Sequence, residues 1–239
     1  MFKNRPAMKK LLLVFLILLP GSLALQAQTK GTVTDTEGHT YPTAMIGKFE
    51  WMSENLKTTS FNDGTKIPNV AENGEWPHLK SGAFCWLNNS EISAGKYGAL
   101  YNWYAVNSGK LCPAGWRVPS DEEWKNLEGQ VDSLHRAGDP VWNDAMGRGY
   151  NAGKRLKAAY GWKTEGNGTD EFGFSALPGG ERTGSGRFFL AGSSAFWWSS
   201  TQMGDSLAYY RSIVSFDDNI LRNTHSKKIG FSVRCLREK

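Results

Sequence analysis

The sequence predicts an α+β fold with short, twisted antiparallel sheets, two helices and long packed loops. It contains ten tryptophans and 27 glycines. Glycine permits tight turns and irregular loops, while indole side chains supply the buried area that short strands lack. Strand-like segments come first, a strongly signalled helix and a weaker one follow, and further strands end the chain. This order is typical of α+β domains, and no phosphate-binding glycine loop precedes a helix.

The N-terminal segment has the pattern of a secretory signal peptide. Four basic residues and no acidic one occur in residues 1–27, and the apolar run of residues 11–19 follows the basic ones. Small or neutral residues then lead to Ala27, where a signal peptidase would cleave. A transmembrane anchor is the alternative, but the run is about half of the roughly 20 apolar residues that a spanning helix needs. We therefore expect a signal peptide at 1–27 and one mature domain at 28–239, located in the periplasm, on the outer surface or outside the cell.

Loss of this leader changes the charge of the protein. The whole chain has a net charge of +5, and removal of the four basic residues leaves about +1. No stripe of lysine and arginine with interleaved aromatic residues remains, which argues against nucleic acid as a partner. No later apolar run is long enough to span a bilayer, so we expect no transmembrane segment after leader cleavage.

The first half of the mature chain alternates between strands and turns. Residues 31–56 are strand-like with glycine-containing turns, and residues 62–64 read Asn-Asp-Gly, a strong turn signal. A helix is predicted from Ser120, because Ser120 and Glu123 form a capping box, and Gly138 follows its end. Its apolar face consists of Trp124, Leu127, Val131 and Leu134.

The second half predicts one short helix and then strands. The helix is expected over residues 152–160, and the strands over 195–200, 207–216 and 230–236. In the last strand, apolar residues at 231, 233 and 235 alternate with more polar ones, which predicts one buried and one wet face. Trp197 and Trp198 are adjacent, so at least one of them should be buried.

Six segments of the chain resemble a known family. They read IGKFEWMSENL (46–56), YGALYNW (97–103), CPAGWRVPS (112–120), GFSALPGG (173–180), WWSST (197–201) and GFSVRC (230–235). In this order they resemble the Fibrobacter succinogenes major paralogous domain, which is common in secreted proteins of Bacteroidetes-type bacteria, over about residues 32–237. The resemblance implies a C-type-lectin-like fold, related in shape to formylglycine-generating enzymes and to variable proteins of diversity-generating retroelements. It implies no agreed biochemical activity.

Three cysteines in an exported chain leave one unpaired. The resemblance to lectin-like folds, which carry a long-range bridge, implies a disulfide between Cys112 and Cys235. Some relatives have a further cysteine where Ser93 and Ala94 stand in this chain, which makes Cys85 the odd one. Pairings that involve Cys85, and the absence of any bridge, remain alternatives.

Three segments contain residue types that can bind calcium. Residues 142–144 read Trp-Asn-Asp, as in calcium-dependent lectins, but they follow the first helix directly and do not precede the final strands. Residues 167–171 and 217–219 offer hard oxygen ligands, although the same residue types form turns without an ion. We therefore predict no metal site and no cofactor, and a structural calcium ion is the less favoured alternative.

An enzymatic function finds little support in the sequence. The four histidines are scattered without metal-ligand spacing, and no Gly-x-Ser-x-Gly elbow occurs. An oxidase related to formylglycine-generating enzymes would need a cysteine pair near the C-terminus, but no second cysteine accompanies Cys235 there. No pair of carboxylates is singled out as in a glycosidase. We expect no catalytic residues.

The resemblance to retroelement-type lectin folds places a recognition surface on the last strands and their loops, here residues 196–226. We expect an exported, non-catalytic ligand-binding or adhesion module whose partner is a glycan or protein ligand on a cell surface. The alternative is a structural component of the cell envelope without a soluble ligand. Tyr209 and Arg211 should share one strand face, with the residues from 217 onward on the loop that follows. The predicted ligand-binding residues are Trp198, Tyr209, Arg211, Asp217, Asn219, Arg222 and Asn223.

Overall fold

The computed structural model describes Met1 and residues 30–239, so the predicted signal peptide lies outside the described residues apart from Met1. The strands are β1 (Lys30–Thr34), β2 (Thr40–Ile46), β3 (Phe49–Met52), β4 (Phe84–Trp86), β5 (Ala99–Tyr101), β6 (Met146–Arg148), β7 (Glu181–Arg182), β8 (Phe188–Phe189), β9 (Ser194–Met203), β10 (Leu207–Val214), β11 (Ile220–Ser226) and β12 (Leu236–Glu238). The α-helices are α1 (Ala94–Tyr97), α2 (Trp103–Val106), α3 (Asp121–Val131) and α4 (Ala152–Leu156). Within the described part of the chain, no helix combines the length and the apolar character needed to cross a membrane.

Two four-stranded antiparallel sheets frame the molecule. Their strand orders are β1-β2-β3-β12 and β6-β11-β10-β9, while β4 pairs with β5 and β7 with β8. Strands β9, β10 and β11 form consecutive hairpins, in which Tyr210 lies opposite both Trp198 and Asn223. This mixture of many short strands and few helices confirms the predicted α+β class.

Helix α3 begins as predicted but ends earlier. The Ser120 hydroxyl accepts a hydrogen bond from the N–H of Glu123 (3.2 Å), and the Ser120 N–H donates to the Glu123 carboxylate (2.8 Å), which confirms the capping box. The helix stops at Val131 because Asp132 takes an extended conformation and its carboxylate accepts the N–H of Leu134. Leu134 is therefore 65% exposed, and its assignment to the apolar face was wrong.

The second predicted helix is also shorter than expected. α4 ends at Leu156, because Lys157 is extended and forms a parallel bridge with Ala176. The N–H of Ala158 then donates to the carbonyl of Ala176 (3.0 Å), which takes the chain out of the helical hydrogen-bond ladder. The described residues form four helices where the sequence predicted two, but α1 and α2 have only four residues each.

The C-terminal strands differ from the prediction in two places. Residues 220–226, which were expected to be a loop, form β11 and pair with β10 along six residues. Residues 230–235, which were expected to be a strand, form only isolated bridges before β12. This segment passes between other strands, with Phe231 bridged to Tyr101 and Ser232 to Trp197. Both of its faces are consequently buried, and the predicted wet face does not exist.

Tryptophans anchor two large apolar clusters. Trp197 and Trp198 point to opposite faces of β9, as adjacent strand residues must, and each enters a different cluster. Trp198 packs on Phe231 with ring centroids 4.6 Å apart. The ring centroid of Trp197 lies 6.1 Å from that of Trp124, and the Trp124 centroid lies 5.1 Å from that of Trp51. Both adjacent tryptophans are thus core residues, because the sheet is covered on both sides at this point.

The disulfide joins Cys112 to Cys235 across 123 residues, which confirms the pairing that the family resemblance implied. It ties the segment before α3 to the residue preceding β12. Cys85 is a free cysteine, and its side chain is buried.

Candidate functional site in a polar cavity

Asn55, just after β3, is a buried amide at which distant chain segments meet. Its side-chain oxygen accepts hydrogen bonds from the indole N–H of Trp197 and from Nε of Arg234, both at 2.9 Å. Its side-chain nitrogen donates to the carbonyl of Tyr97 (2.8 Å) and to the hydroxyl of Ser232 (3.2 Å). These residues belong to four of the six segments that carry the family resemblance, so one side chain fixes the relative positions of those segments.

Arg234 is the second element of this arrangement, and only 1% of it is exposed. Its guanidinium group donates to the carbonyls of Phe174 and Ser175, the latter at 3.0 Å, and lies 4.1 Å from the Phe174 ring. Burial lowers the pKa of Arg234 to about 9. No Asp or Glu carboxylate of the described residues lies within 4.0 Å of it. The side chain is therefore a buried cation held by neutral oxygens and an aromatic ring.

A cavity of about 350 Å³ opens beside these two residues. Its volume falls in the range of small-molecule binding sites. Asn55 and Arg234 form part of its wall, together with Ser53 and with the exposed side chains of Lys96 and Tyr160. Polar groups from well-separated parts of the chain thus converge on one partly open cavity.

Ser175 also lines this cavity and has a strained backbone. Its φ angle is +52°, a left-handed conformation that residues other than glycine rarely adopt. The N–H and the hydroxyl of Ser175 both donate to the Asp170 carboxylate at 2.6 Å, which holds the strained conformation in place. The strain is maintained at the point where the Ser175 carbonyl accepts a hydrogen bond from Arg234. Such strain clusters at binding and catalytic sites.

The rim of the cavity carries charges of both signs. Nζ of Lys96 lies 4.9 Å from the centre of the Tyr97 ring. Glu54 is the carboxylate at the rim, with an oxygen 3.9 Å from Nζ of Lys57. Within residues 30–239, the hydroxyl of Ser53 has no hydrogen-bond partner, and Ser53 lines the cavity. Unused donors and unused acceptors are therefore both present.

Two of the sequence-predicted ligand residues are buried, and these predictions were wrong. Trp198 is 0% exposed, and its indole N–H donates to the carbonyl of Tyr101 (2.8 Å). Arg211 is 1% exposed and pairs with the carboxylates of Asp121, at 2.7 Å, and of Glu128. Helix α3 covers Arg211 and supplies both of its carboxylate partners, whereas Trp198 lies on the opposite face of β9 beneath Phe231. Among the described residues, neither side chain lines a cavity through which a ligand could reach it.

The other five predicted residues lie along the hairpin of β10 and β11. The Arg222 guanidinium is 4.3 Å from the Tyr209 ring and 2.8 Å from the Asp121 carboxylate. Asn223 contacts the sulfur of Met146 at 3.3 Å, and both Arg222 and Asn223 belong to β11 rather than to a loop. Asp217 and Asn219 do lie in the connecting turn, where the Asp217 carboxylate accepts the Asn219 N–H (3.2 Å). None of the seven predicted residues lines the cavity.

The cavity residues were missed although the sequence contained a signal for them. Asn55, Ser175 and Arg234 are polar residues inside segments that carry the family resemblance. Arg234 stands between a valine and a cysteine that are both fully buried. A charged residue on the alternate face of such a segment is either exposed or held in a specific polar site. The predicted wet face of residues 230–236 corresponds to the first option, and the structure shows the second.

The oxygen-rich segments hold their side chains in hydrogen bonds. In residues 167–171, the Asn167 side chain accepts the N–H of Trp162 (3.1 Å), and Glu171 pairs with Arg155. In residues 217–219, Asp217 caps its own turn. These contacts agree with turn formation as the role of both segments.

One further cluster consists of Asp35, Glu37 and His39, whose ligand atoms lie within 4.8 Å of one another. Glu37 already accepts hydrogen bonds from the backbone and hydroxyl of Thr59 and from the hydroxyl of Ser60. Although burial raises the pKa of Glu37, these hydrogen bonds lower it to about 2. The carboxylates thus stabilise the β1–β2 turn and leave few lone pairs for a metal ion.

Comparisons with known proteins bear on the whole chain. No curated protein and no solved structure matches it. Residues 45–237 match the sequence model of the Fibrobacter succinogenes major domain. This range covers more than half of the chain and nearly all of the described residues, including every cavity-lining residue except Pro42. The protein therefore belongs to the Fibrobacter succinogenes major domain family.

Proposed function

We propose that this protein is an exported, non-catalytic ligand-binding module of the cell envelope with a C-type-lectin-like fold, and that its ligand occupies the cavity beside Arg234. The observation that carries the proposal is the convergence of donors on a space of about 350 Å³. Arg234 and Ser53 line this space, the Ser53 hydroxyl has no hydrogen-bond partner among residues 30–239, and Lys96 stands at the rim. An aromatic side chain, Tyr160, is 60% exposed beside them and offers a stacking face.

The chemistry of the cavity favours binding over catalysis. General acid–base catalysis uses titratable groups poised near the working pH. The titratable side chains that line this cavity are Glu54, Lys96, Tyr160 and Arg234, and they include no histidine or cysteine. Arginine, lysine and tyrosine are instead typical of surfaces that hold a ligand through hydrogen bonds and stacking.

The disulfide supports the proposed export. Disulfides persist in oxidising compartments such as the periplasm and the extracellular space. The bridge from Cys112 to Cys235 therefore agrees with the secretory pattern of residues 1–27. The partner we propose is a glycan or protein ligand at a cell surface.

Tyrosine substitutions test the location of the site. The mature chain, beginning at residue 28, would be screened on glycan and peptide arrays and against intact cells. Tyr160→Ala should weaken binding about tenfold or more, because loss of an interface anchor typically costs 1–4 kcal/mol. Its melting temperature should stay unchanged, because the side chain is 60% exposed. Tyr150→Ala is the matched control, since Tyr150 is 61% exposed and lies outside the cavity.

Two results would contradict the proposal. If Asn223→Ala abolished binding and Tyr160→Ala did not, the binding site would lie on the β10–β11 hairpin and not in the cavity. A folded protein that binds no glycan, peptide or cell would favour a structural envelope component.

A further inference from the structure

We infer that the cavity recognises a carboxylate group, supplied either by an acidic sugar or by the C-terminus of a peptide. The inference rests on the proposed binding function and specifies its ligand. Three groups carry it: the guanidinium of Arg234, the hydroxyl of Ser53 and the ammonium of Lys96.

One N–H donor of the Arg234 guanidinium group is unused within residues 30–239. A guanidinium group has five N–H donors. Nε donates to the Asn55 side chain, Nη1 to the carbonyls of Met52 and Phe174, and Nη2 to the carbonyl of Ser175. These four contacts leave one N–H of Nη2 without an acceptor among residues 30–239. Arg234 and Ser175 both line the cavity, so the remaining N–H is the group through which Arg234 would meet a ligand there.

The positive charge of Arg234 also lacks an adjacent counter-ion in the part of the chain that the structure describes. Two acidic residues influence it from a distance, Asp170 and Glu54. The Asp170 carboxylate already accepts two hydrogen bonds from Ser175. Glu54 stands at the rim, and 49% of its side chain is exposed to water. A buried charge is stabilised by an ionic partner at contact distance, and a ligand carboxylate in the cavity would be that partner.

The number of unused donors favours one class of anion. One guanidinium N–H and one hydroxyl, from two residues that line the cavity, match the two oxygens of a single carboxylate. A phosphate or sulfate group presents more oxygens than these two donors can satisfy. Lys96 adds attraction at the entrance, whereas Glu54 opposes an anion there. Substitution of either rim residue should therefore change the affinity for an anion.

An NMR titration of the mature protein tests the inference with matched acid and neutral probes. The probes are glucuronate against glucose, and an N-acetylated tripeptide with a free C-terminus against its C-terminal amide. At least one acid should shift the Arg234 Nε–H and Ser53 amide signals and bind at least tenfold more tightly than its neutral partner. The pair that shows this difference identifies the source of the carboxylate, and 0.5 M salt should weaken the binding.

Rim variants avoid the folding defect expected if the buried Arg234 is replaced. Lys96→Gln should weaken binding of the acid about two- to fivefold, and Glu54→Gln should strengthen it by a similar factor. Lys80→Gln is the control, because Lys80 is exposed and lies outside the cavity.

The outcomes separate this inference from the proposed function. If the neutral probes bound as tightly as the acids and Tyr160→Ala still weakened binding, carboxylate recognition would be wrong. The cavity would nevertheless remain a binding site. Carboxylate recognition would also be wrong if a ligand found on the arrays, but lacking a carboxylate, occupied the cavity while none of the four probes bound. If no ligand perturbs the cavity signals, both conclusions fall.

Discussion

At the residue scale, the pair of Asn55 and Arg234 shows how one polar contact organises the interior. The two residues are 179 positions apart in the chain and are both buried. Asn55 uses its oxygen twice as an acceptor and its nitrogen twice as a donor, so its hydrogen-bonding capacity is fully used. Such a group specifies the packing of its neighbours, because any displacement leaves a buried donor without an acceptor.

Substitution of Asn55 measures this effect. Asn55→Ala should lower the free energy of unfolding by about 2–4 kcal/mol, because the buried N–H groups of Trp197 and Arg234 lose their shared acceptor. Chemical denaturation of the mature protein would give the value. Asn107→Ala, at an exposed asparagine after α2, should change stability by less than about 0.5 kcal/mol. Equal effects of the two substitutions would show that the Asn55 contacts add nothing to stability.

At the element scale, α3 is fastened to the second sheet by buried ion pairs. Asp121, in its first turn, accepts from Arg211 (2.7 Å) and Arg222 (2.8 Å), and Glu128 pairs with Arg211 and Arg148. Carboxylates in a first helical turn are also favoured by the helix dipole. The docking explains why arginines on β10 and β11 are occupied by the protein itself. Helix and sheet segments about 90 residues apart in sequence, such as Asp121 and Arg211, meet here.

The ion pairs of Asp121 predict a specific acid dependence. Burial raises the pKa of Asp121, but hydrogen bonds and charges of Arg222 and Arg211 lower it to about 2. Because the unfolded pKa is near 4, this carboxylate stabilises the fold above about pH 4, and its contribution is lost as the pH falls toward 2. In Asp121→Asn, the melting temperature should be lower at pH 7 and should fall less steeply between pH 4 and pH 2.

Thermal melts from pH 7 to pH 2 would check this dependence. The matched control is Asp144→Asn, since Asp144 is exposed and forms no ion pair with the described residues. Its acid profile should follow that of the unsubstituted protein. An unchanged slope in Asp121→Asn would mean that other carboxylates dominate acid unfolding.

At the scale of the whole molecule, the disulfide connects the two halves of the chain. The bridge spans 123 residues, and loop-closure entropy for a loop of this length corresponds to about 4–5 kcal/mol. The double variant Cys112→Ala/Cys235→Ala should therefore melt at a much lower temperature than the oxidised protein. Scanning calorimetry would measure the difference, and an unchanged melting point would contradict the stabilising role of the bridge.

Thiol labelling provides an independent check of the pairing. Burial raises the pKa of Cys85 to about 11, so this thiol should react slowly in the native protein. In the unfolded, non-reduced protein, Cys85 alone should react. Peptide mapping without reductant should recover the link from Cys112 to Cys235, and a linked peptide containing Cys85 would refute the pairing.

Local signals in the sequence were sufficient for the features that depend on neighbouring residues. The capping box at Ser120 predicted the start of α3, because its hydrogen bonds join residues three positions apart. The α+β class followed from composition and from the order of the elements. The disulfide pairing came from the family resemblance, since three cysteines alone leave several pairings open.

Tertiary structure alone decided which polar and aromatic residues face water. Trp198 and Arg211 have sequence contexts that suit an exposed strand, but their burial depends on residues far away in the chain, such as Phe231 and Tyr101 for Trp198 and Glu128 for Arg211. The cavity likewise forms only where Asn55, Ser175 and Arg234 meet, and these residues come from three distant segments. Local pattern determines which groups a segment can offer. The packing of remote segments determines which of them the protein uses for itself and which remain free for a ligand.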